Sequence, residues 1–359
     1  MDNKIAKLEK VRSFLREKNA EGIIVSSWQN VLYLSGFTGY NDAVLLVTNK
    51  NSFIITDSRY YVQAEEQAPE FELVKGNAMS PDVMKKLLEE QYVSSVMYEN
   101  KAISYNDYFR YYEALGVKLK KADNLFGDMR LIKTPEEIMA VEKACDLASE
   151  ALVKTLPEIK AGKTEIEIAA ALEYNMRVAG AEKTSFETIV ASGTRGAMPH
   201  GTASKKVLEQ GDGITIDFGA FFGGVCSDMT RTFFLGEPCP EMRKIYNVVL
   251  EAQTAAIEGY RPGMTGGDID RIARDVIKEA GYGEYFGHGL GHGVGIDVHE
   301  APNVSPKGST VLEPGMIFSI EPGIYVPDLG GVRIEDLVTI ENGSLRILTK
   351  SPAKELTML

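Results

Sequence analysis

Hydrophobic positions near the start of the chain form one stretch with helical spacing and three uninterrupted apolar runs. Apolar residues between 4 and 18 recur every three or four positions among lysines, arginines and glutamates, which predicts an amphipathic helix. A short apolar run at 22–25 predicts a strand. Two longer runs, at 43–48 and 52–57, flank a three-residue polar link and predict a hairpin of buried strands.

Helical and strand patterns then alternate as far as residue 125. We expect helices near 81–91 and 104–115, and strands at 94–98 and 117–120. Residues 1–125 therefore predict a small α/β domain of ordinary size.

The pattern changes in residues 126–359, which predict a second and larger domain. Thr134 and Pro135, followed by two glutamates, supply an N-cap, a first helical position and an acidic first turn. Helices are predicted at 135–157, 164–180, 240–258 and 266–280, and strands at 188–192, 213–219, 229–235, 316–320 and 332–340. Helices followed by strands that can pair antiparallel favour an α+β fold over a doubly wound sheet.

Charge and cysteine usage narrow the classes of function. The 359 residues carry a formal charge of −12, which argues against a nucleic-acid or anionic-membrane partner. No apolar run approaches the ~18 residues of a transmembrane helix, and no secretory leader is visible. Three scattered cysteines form no disulfide framework. These features predict a cytoplasmic protein.

The most unusual stretch runs from Gly287 to Glu300. It holds three of the four histidines of the chain, interleaved with five glycines. Glycine lets other groups approach the backbone closely, and imidazole is a common metal ligand and proton carrier. We interpret this stretch as one wall of an active site.

Two predicted hairpins carry carboxylates that this wall could face. If the chain turns at Phe222 and Gly223, Asp217 and Asp228 lie opposite each other. A turn centred on Asp328 would pair Glu321 with Glu335, although Pro322 interrupts that ladder. Like charges this close are destabilising unless cations lie between them. Four carboxylates with one imidazole suit two divalent ions such as Mn²⁺ or Co²⁺.

These residues resemble the motif set of the pita-bread metallopeptidases, in particular the Xaa-Pro aminopeptidase and Xaa-Pro dipeptidase (prolidase) branch. The matching segments are Asp217, Asp228-Met229-Thr230-Arg231-Thr232, Gly291-His292-Gly293-Val294-Gly295, Val298-His299-Glu300, Glu321-Pro322-Gly323 and Arg333-Ile334-Glu335-Asp336. Residues 1–125 look like the creatinase-type α/β domain that precedes the catalytic domain in this family. The resemblance implies a C-terminal pita-bread domain over residues 126–359.

The resemblance also implies a role for each residue. The metal ligands would be Asp217, Asp228, His292, Glu321 and Glu335. Glu321 would also act as general base, while His200, His288 and His299 would contact the substrate. The ions would be two per subunit, Mn²⁺ or Co²⁺ with Zn²⁺ as a third candidate, and the enzyme would be a homodimer. Arg333 either orients Glu335, binds a peptide carboxylate or forms a plain ion pair.

The substrate class stays open between close alternatives. An aminopeptidase that removes the residue before a proline in the second position is favoured, because the N-terminal stretch and residues 185–200 look closer to short bacterial enzymes of that kind. The alternative is an Xaa-Pro dipeptidase. A metal-free creatinase-like hydrolase and a non-catalytic pita-bread binding protein are the remaining hypotheses, and the intact ligand set argues against both.

Overall fold

The computed structural model describes residues 3–350 and 354–359, and the chain divides into two compact units, Met1–Phe126 and Gly127–Leu359. Among residues 3–350 and 354–359, no helix is long and apolar enough to cross a membrane.

The first unit is built around a six-stranded mixed sheet with the strand order β4-β3-β2-β1-β5-β6. Its strands are β1 Gly22–Val25, β2 Ala43–Thr48, β3 Ser52–Thr56, β4 Glu72–Lys75, β5 Ser95–Tyr98 and β6 Lys118–Lys121. Its helices are α1 Asn3–Glu17, α2 Trp28–Ser35, α3 Tyr61–Gln67, α4 Pro81–Glu90 and α5 Tyr105–Ala114, and α6 Leu125–Leu131 follows at the division. The predicted hairpin is confirmed as β2 and β3, whose residues are all buried.

Helix α2 was not predicted, although the sequence carries a capping residue at each of its ends. The Ser27 side chain accepts a hydrogen bond from Asn30 N, and Gly36 ends the helix in the left-handed conformation with φ 77°. Its eight residues are mostly apolar, so a helical period is hard to distinguish from a buried strand.

The second unit places two pairs of helices against antiparallel sheets. The helices are α7 Pro135–Thr155, α8 Glu165–Ala179, α9 Pro240–Gly259 and α10 Gly266–Glu279. The strands are β7 Lys183–Thr184, β8 Ile189–Ser192, β9 Gly213–Phe218, β10 Ala220–Phe222, β11 Val225–Cys226, β12 Met229–Phe234, β13 Gly291–Gly293, β14 Glu300–Val304, β15 Ile317–Ile320, β16 Gly323–Val326, β17 Gly330–Arg333, β18 Asp336–Glu341 and β19 Ser344–Ile347. The predicted α+β class is confirmed.

Four small sheets result, ordered β11-β10-β7, β12-β9-β8, β14-β13-β15-β18-β19 and β16-β17. Apolar residues of α7 and α8 form one core with β9 and β12, and those of α9 and α10 form another with β15 and β18. Capping boxes begin three of these helices, and the one at Thr134 confirms the predicted start of α7. The single strand predicted over 332–340 is wrong, because residues 334–335 interrupt it and separate β17 from β18.

Candidate metal centre

A cavity of about 880 Å³ in the second unit collects every residue that the sequence nominated for chemistry. The eight are His200, Asp217, Asp228, His288, His292, His299, Glu321 and Glu335. Apolar and aromatic side chains, among them Phe186, Ile189, Tyr285 and Val298, complete the lining. Apolar walls with a few convergent polar groups are typical of a small-molecule site.

The first carboxylate hairpin has a different register from the predicted one. Asp217 lies opposite Thr230 and not opposite Asp228, because the chain turns at Gly223 and Gly224. Both glycines have positive φ, 60° and 82°, as a tight hairpin turn requires. Since side chains alternate with a period of two, the shift of two residues keeps Asp217 and Asp228 on one face.

The predicted register of the second hairpin is confirmed. Ile320 lies opposite Asp336 and Gly323 opposite Arg333, so the same pairing continues on both sides of residues 321–322. Where the ladder is interrupted, Glu321 N donates to Leu290 O at 2.8 Å, and Glu335 N donates to Thr230 O at 3.1 Å. The interruption therefore ties this hairpin to the glycine-rich stretch and to the first hairpin.

His292 presents one ring nitrogen to the carboxylates. Its Nε2 lies 3.2 Å from Glu321 Oε1 and 3.7 Å from Asp228 Oδ2, while its Nδ1 lies 3.1 Å from Gly293 O. A proton on Nδ1, donated to that carbonyl, leaves the Nε2 lone pair directed at the carboxylates, which is the form that binds a metal. Ligand atoms of Asp228, His292 and Glu335 lie within 4.8 Å of one another.

The charge balance of the site favours cations. Asp228 and Glu335 are buried, and the side chains of Asp217 and Glu321 are only 15% exposed. Burial, with repulsion from the neighbouring carboxylates, raises the pKa of Asp228 and of Glu335 well above the usual range. Burial also raises the pKa of Asp217, against the opposing effect of Arg333.

Glu321 and His292 behave as a pair. Burial alone would raise the pKa of Glu321, but the hydrogen bond and the charge of His292 outweigh it and bring that pKa to about 2. The same contact raises the pKa of His292 to about 9, although burial opposes the charged imidazole. The carboxylates thus stabilise positive charge on the His292 ring.

Two carboxylate oxygens have no such partner. Asp217 Oδ1 and Glu335 Oε1 are buried and accept no hydrogen bond from any residue that the structure describes. Buried acceptors of this kind are costly unless a cation or a donor satisfies them. An oxygen-rich donor set with one imidazole and unsatisfied oxygens fits divalent metal ions.

Arg333 forms an ion pair with Asp217 and makes no hydrogen bond or ion pair with Glu335. Its Nη2 lies 2.7 Å from Asp217 Oδ2, and its Nε donates to Thr230 Oγ1 at 3.0 Å. The Thr230 hydroxyl in turn donates to Glu335 Oε2 at 2.7 Å. Arg333 thus contacts one carboxylate directly and reaches another through a hydroxyl.

Sequence reasoning missed Thr230 and Tyr325. The Tyr325 hydroxyl accepts a hydrogen bond from Arg333 Nη1 at 3.0 Å and lies 2.9 Å from His288 Nε2. Each residue lies an even number of positions from a nominated carboxylate on the same hairpin arm, Thr230 two after Asp228 and Tyr325 four after Glu321. The period of two was the signal that could have found them.

His200, His288 and His299 line the cavity but form no hydrogen bond or ion pair with its four carboxylates. The His299 ring lies edge-on to the His292 ring with centroids 4.3 Å apart. Burial lowers the pKa of His288 and of His299, which favours neutral imidazoles. His200 is exposed on the loop after β8, and Pro199 O beside it accepts from Arg333 Nη1 at 3.1 Å.

Comparisons with known proteins agree with this arrangement. Residues 139–342 match the model of metallopeptidase family M24, and residues 7–132 match the creatinase/prolidase N-terminal domain. An Xaa-Pro dipeptidase from Pyrococcus furiosus is 44% identical over 351 residues, which cover 96% of this chain and 98% of that protein.

Solved structures resemble the whole chain. A structure of an Xaa-Pro dipeptidase from Bacillus anthracis covers 99% of this chain and 100% of its own, with a TM-score of 0.95 and 42% identity. A structure of an X-Pro aminopeptidase from Thermotoga maritima covers 95% and 98%, with a TM-score of 0.89 and 39% identity.

Proposed function

The chain belongs to metallopeptidase family M24, and we propose that within this family it hydrolyses the Xaa-Pro bond of dipeptides. The observation that carries the chemistry is the meeting of four carboxylates and His292 in one cavity. The choice of dipeptides is supported by the two relatives named Xaa-Pro dipeptidase, which are 44% and 42% identical to this chain. These comparisons favour the dipeptidase alternative over the aminopeptidase that the sequence had favoured.

We propose that Asp217, Asp228, His292, Glu321 and Glu335 hold two divalent ions. Family membership implies divalent metal, and the oxygen-rich donor set favours Mn²⁺ or Co²⁺, with Zn²⁺ as the third candidate. Bound there, the ions would lower the pKa of water and polarise the scissile carbonyl.

The remaining steps belong to side chains of the cavity. Glu321 accepts the proton of the attacking water as general base. His200 and His299 donate hydrogen bonds to the oxygen on which negative charge develops, and His288 contacts the substrate nearby. The proton that Glu321 takes from water then passes to the prolyl nitrogen, which leaves as an amine when the C–N bond breaks.

A peptide panel tests this function. Xaa-Pro dipeptides, Xaa-Pro-Yaa tripeptides and Xaa-Pro amides are compared by kcat/KM with Mn²⁺, Co²⁺ and Zn²⁺. The dipeptidase is supported if dipeptides are favoured at least ~10-fold. Faster cleavage of tripeptides would assign the aminopeptidase instead, and the cavity of about 880 Å³ makes this comparison necessary because it has room for a longer peptide.

A second test separates chemistry from binding. Glu321→Gln, assayed at metal concentrations that load the variant fully, should reduce turnover by at least ~10³-fold, since the amide accepts no proton. Glu341→Gln, at the exposed end of β18, is the matched control and should keep the wild-type rate. Wild-type turnover in metal-loaded Glu321→Gln would refute the proposed base.

Further expectations concern the metal content and the assembly. Absence of bound or activating metal after purification would favour the creatinase-like or the non-catalytic hypothesis. We propose that residues 126–359 carry the catalytic machinery, that the enzyme is a cytoplasmic homodimer, and that it binds neither nucleic acid nor membranes. A monomer by light scattering at micromolar concentration would refute the dimer.

A further inference from the structure

Glu165 is a fully buried carboxylate at the first position of α8, outside the cavity. Its Oε1 accepts from Ser192 N and from Ser192 Oγ, both at 2.8 Å. Its Oε2 accepts from Ser204 N at 3.0 Å and from Ser204 Oγ at 2.6 Å, and forms an ion pair with Arg195. Every one of these donors belongs to residues 192–204, which we call the His200 loop.

The helix itself does not need this carboxylate. Thr164 and Glu167 already form a complete capping box at the start of α8. A buried charge is costly unless hydrogen bonds and a counter-charge compensate it, and here the loop supplies the hydrogen bonds and the ion pair of the carboxylate. Glu165 is therefore built to hold the loop and not to begin the helix.

The opposite side of the His200 loop is held by β17. A Cβ added to Gly331 would lie 2.1 Å from Gly196 O, so the two backbones are in direct contact. Pro199 O accepts the hydrogen bond from Arg333 Nη1. The loop is thus fixed between α8 on one side and the metal-site hairpin on the other.

His200 depends on these anchors for its position. Its side chain is exposed, and no hydrogen bond joins its ring to another residue of the described chain. Since the ring has no hydrogen-bond partner there, its position follows that of its backbone. The Glu165 anchors at 192, 195 and 204 flank it on both sides.

We propose that Glu165 is a positioning residue, which sets the reactivity of the enzyme by holding His200 in the cavity through the loop. The kinetic part of this proposal rests on the proposed Xaa-Pro hydrolysis. The structural part does not, because it concerns only the order of residues 192–204.

The structural test is hydrogen–deuterium exchange in the metal-loaded protein. Glu165→Gln keeps the shape of the side chain but removes its charge, and Arg195→Met releases the same tether from the loop if the first variant folds poorly. Both should speed exchange in residues 193–204 and leave residues 286–292 unchanged. Glu167→Gln, in the same helical turn, is the matched control, because it weakens the cap without touching the loop.

The kinetic test is a double-mutant cycle with His200→Ala, measured on Xaa-Pro dipeptides. Glu165→Gln should lower kcat ~10–100-fold with a change in KM below ~3-fold, since small misplacement of a reacting group has effects of this size. In the His200→Ala background the same substitution should change kcat less than ~3-fold. A merely structural role would give the full effect in both backgrounds.

The exchange measurements test the structural part of the proposal, and the double-mutant cycle tests the kinetic part. Additive effects in the cycle, unchanged exchange in the loop, or an equal response in Glu167→Gln would overturn the positioning role. If the wild-type protein hydrolyses no Xaa-Pro peptide, the proposed function fails, and the exchange measurements alone decide whether Glu165 holds the loop.

Discussion

Replacing Thr230 by valine should weaken metal binding while the protein stays folded. The Thr230 hydroxyl is fully buried, donates to Glu335 Oε2 at 2.7 Å and accepts from Arg333 Nε at 3.0 Å. Valine keeps the volume and the β-branched shape of threonine but makes neither bond. Glu335, a proposed ligand, would lose the group that orients it.

The size of the effect follows from those two contacts. A hydrogen bond to a charged group contributes ~1.5–3 kcal/mol. Loss of a group that orients a metal ligand typically costs ~10–100-fold in affinity, which corresponds to ~1.4–2.8 kcal/mol. We therefore expect the dissociation constant for Mn²⁺ to rise ~10–100-fold in Thr230→Val.

Thr232 supplies the matched control two residues along the same face of β12. Its buried hydroxyl donates to Arg333 O at 2.9 Å, accepts from Arg333 N at 3.2 Å and lies 3.1 Å from the Thr215 hydroxyl. Thr232→Val therefore removes at least as many hydrogen bonds as Thr230→Val, but none to a carboxylate. The control should lose stability in the metal-free form yet keep its metal affinity within ~3-fold.

Titration of metal-free protein against a competing chelator measures the affinity, and thermal unfolding with and without metal measures the stability. Unaltered affinity in Thr230→Val, or an equal loss in both variants, would refute the idea that the hydroxyl orients Glu335.

Three further predictions concern the surroundings of the site. Tyr325→Phe removes the hydroxyl that Arg333 and His288 contact, and kcat on Xaa-Pro dipeptides should fall ~10–100-fold at constant metal content; an unchanged kcat would exclude a role for this hydroxyl. Gly293→Ala would place a Cβ 2.0 Å from Ala301 O and should lower the urea unfolding free energy by ~2–3 kcal/mol, whereas Gly287→Ala, with open space around the added atom, should change it by less than ~0.5 kcal/mol. Chelation of the metals should lower the melting temperature, because metal at ~100 times its dissociation constant stabilises the folded state by ~2.7 kcal/mol per site; a melting temperature indifferent to chelator would contradict a structural contribution of the ions.

Local rules were sufficient for much of the fold. Caps such as Thr134 and the spacing of apolar residues act within a few positions, so most helices and about half of the strands could be predicted from the sequence. Short strands such as β7, β11 and β13 were missed, because two or three residues are too few to show a period. The period of two was also enough to bring Asp217 and Asp228 to one face, even though the predicted register was wrong by two residues. The exact register depended on which residues made the turn, and the pair of glycines at 223 and 224 decided it.

The sequence by itself, together with the family resemblance, nominated the eight cavity residues, and their catalytic and metal-binding roles stay predictions. Only the tertiary structure decided how those residues are paired and supported. Arg333 contacts Asp217 and reaches Glu335 through Thr230, which lies 105 positions from that glutamate in the chain. A hydrogen bond requires atoms within about 3 Å. Periodicity and capping fix the face of a segment but not its distance from another, so these contacts arise only when the separate hairpins pack together.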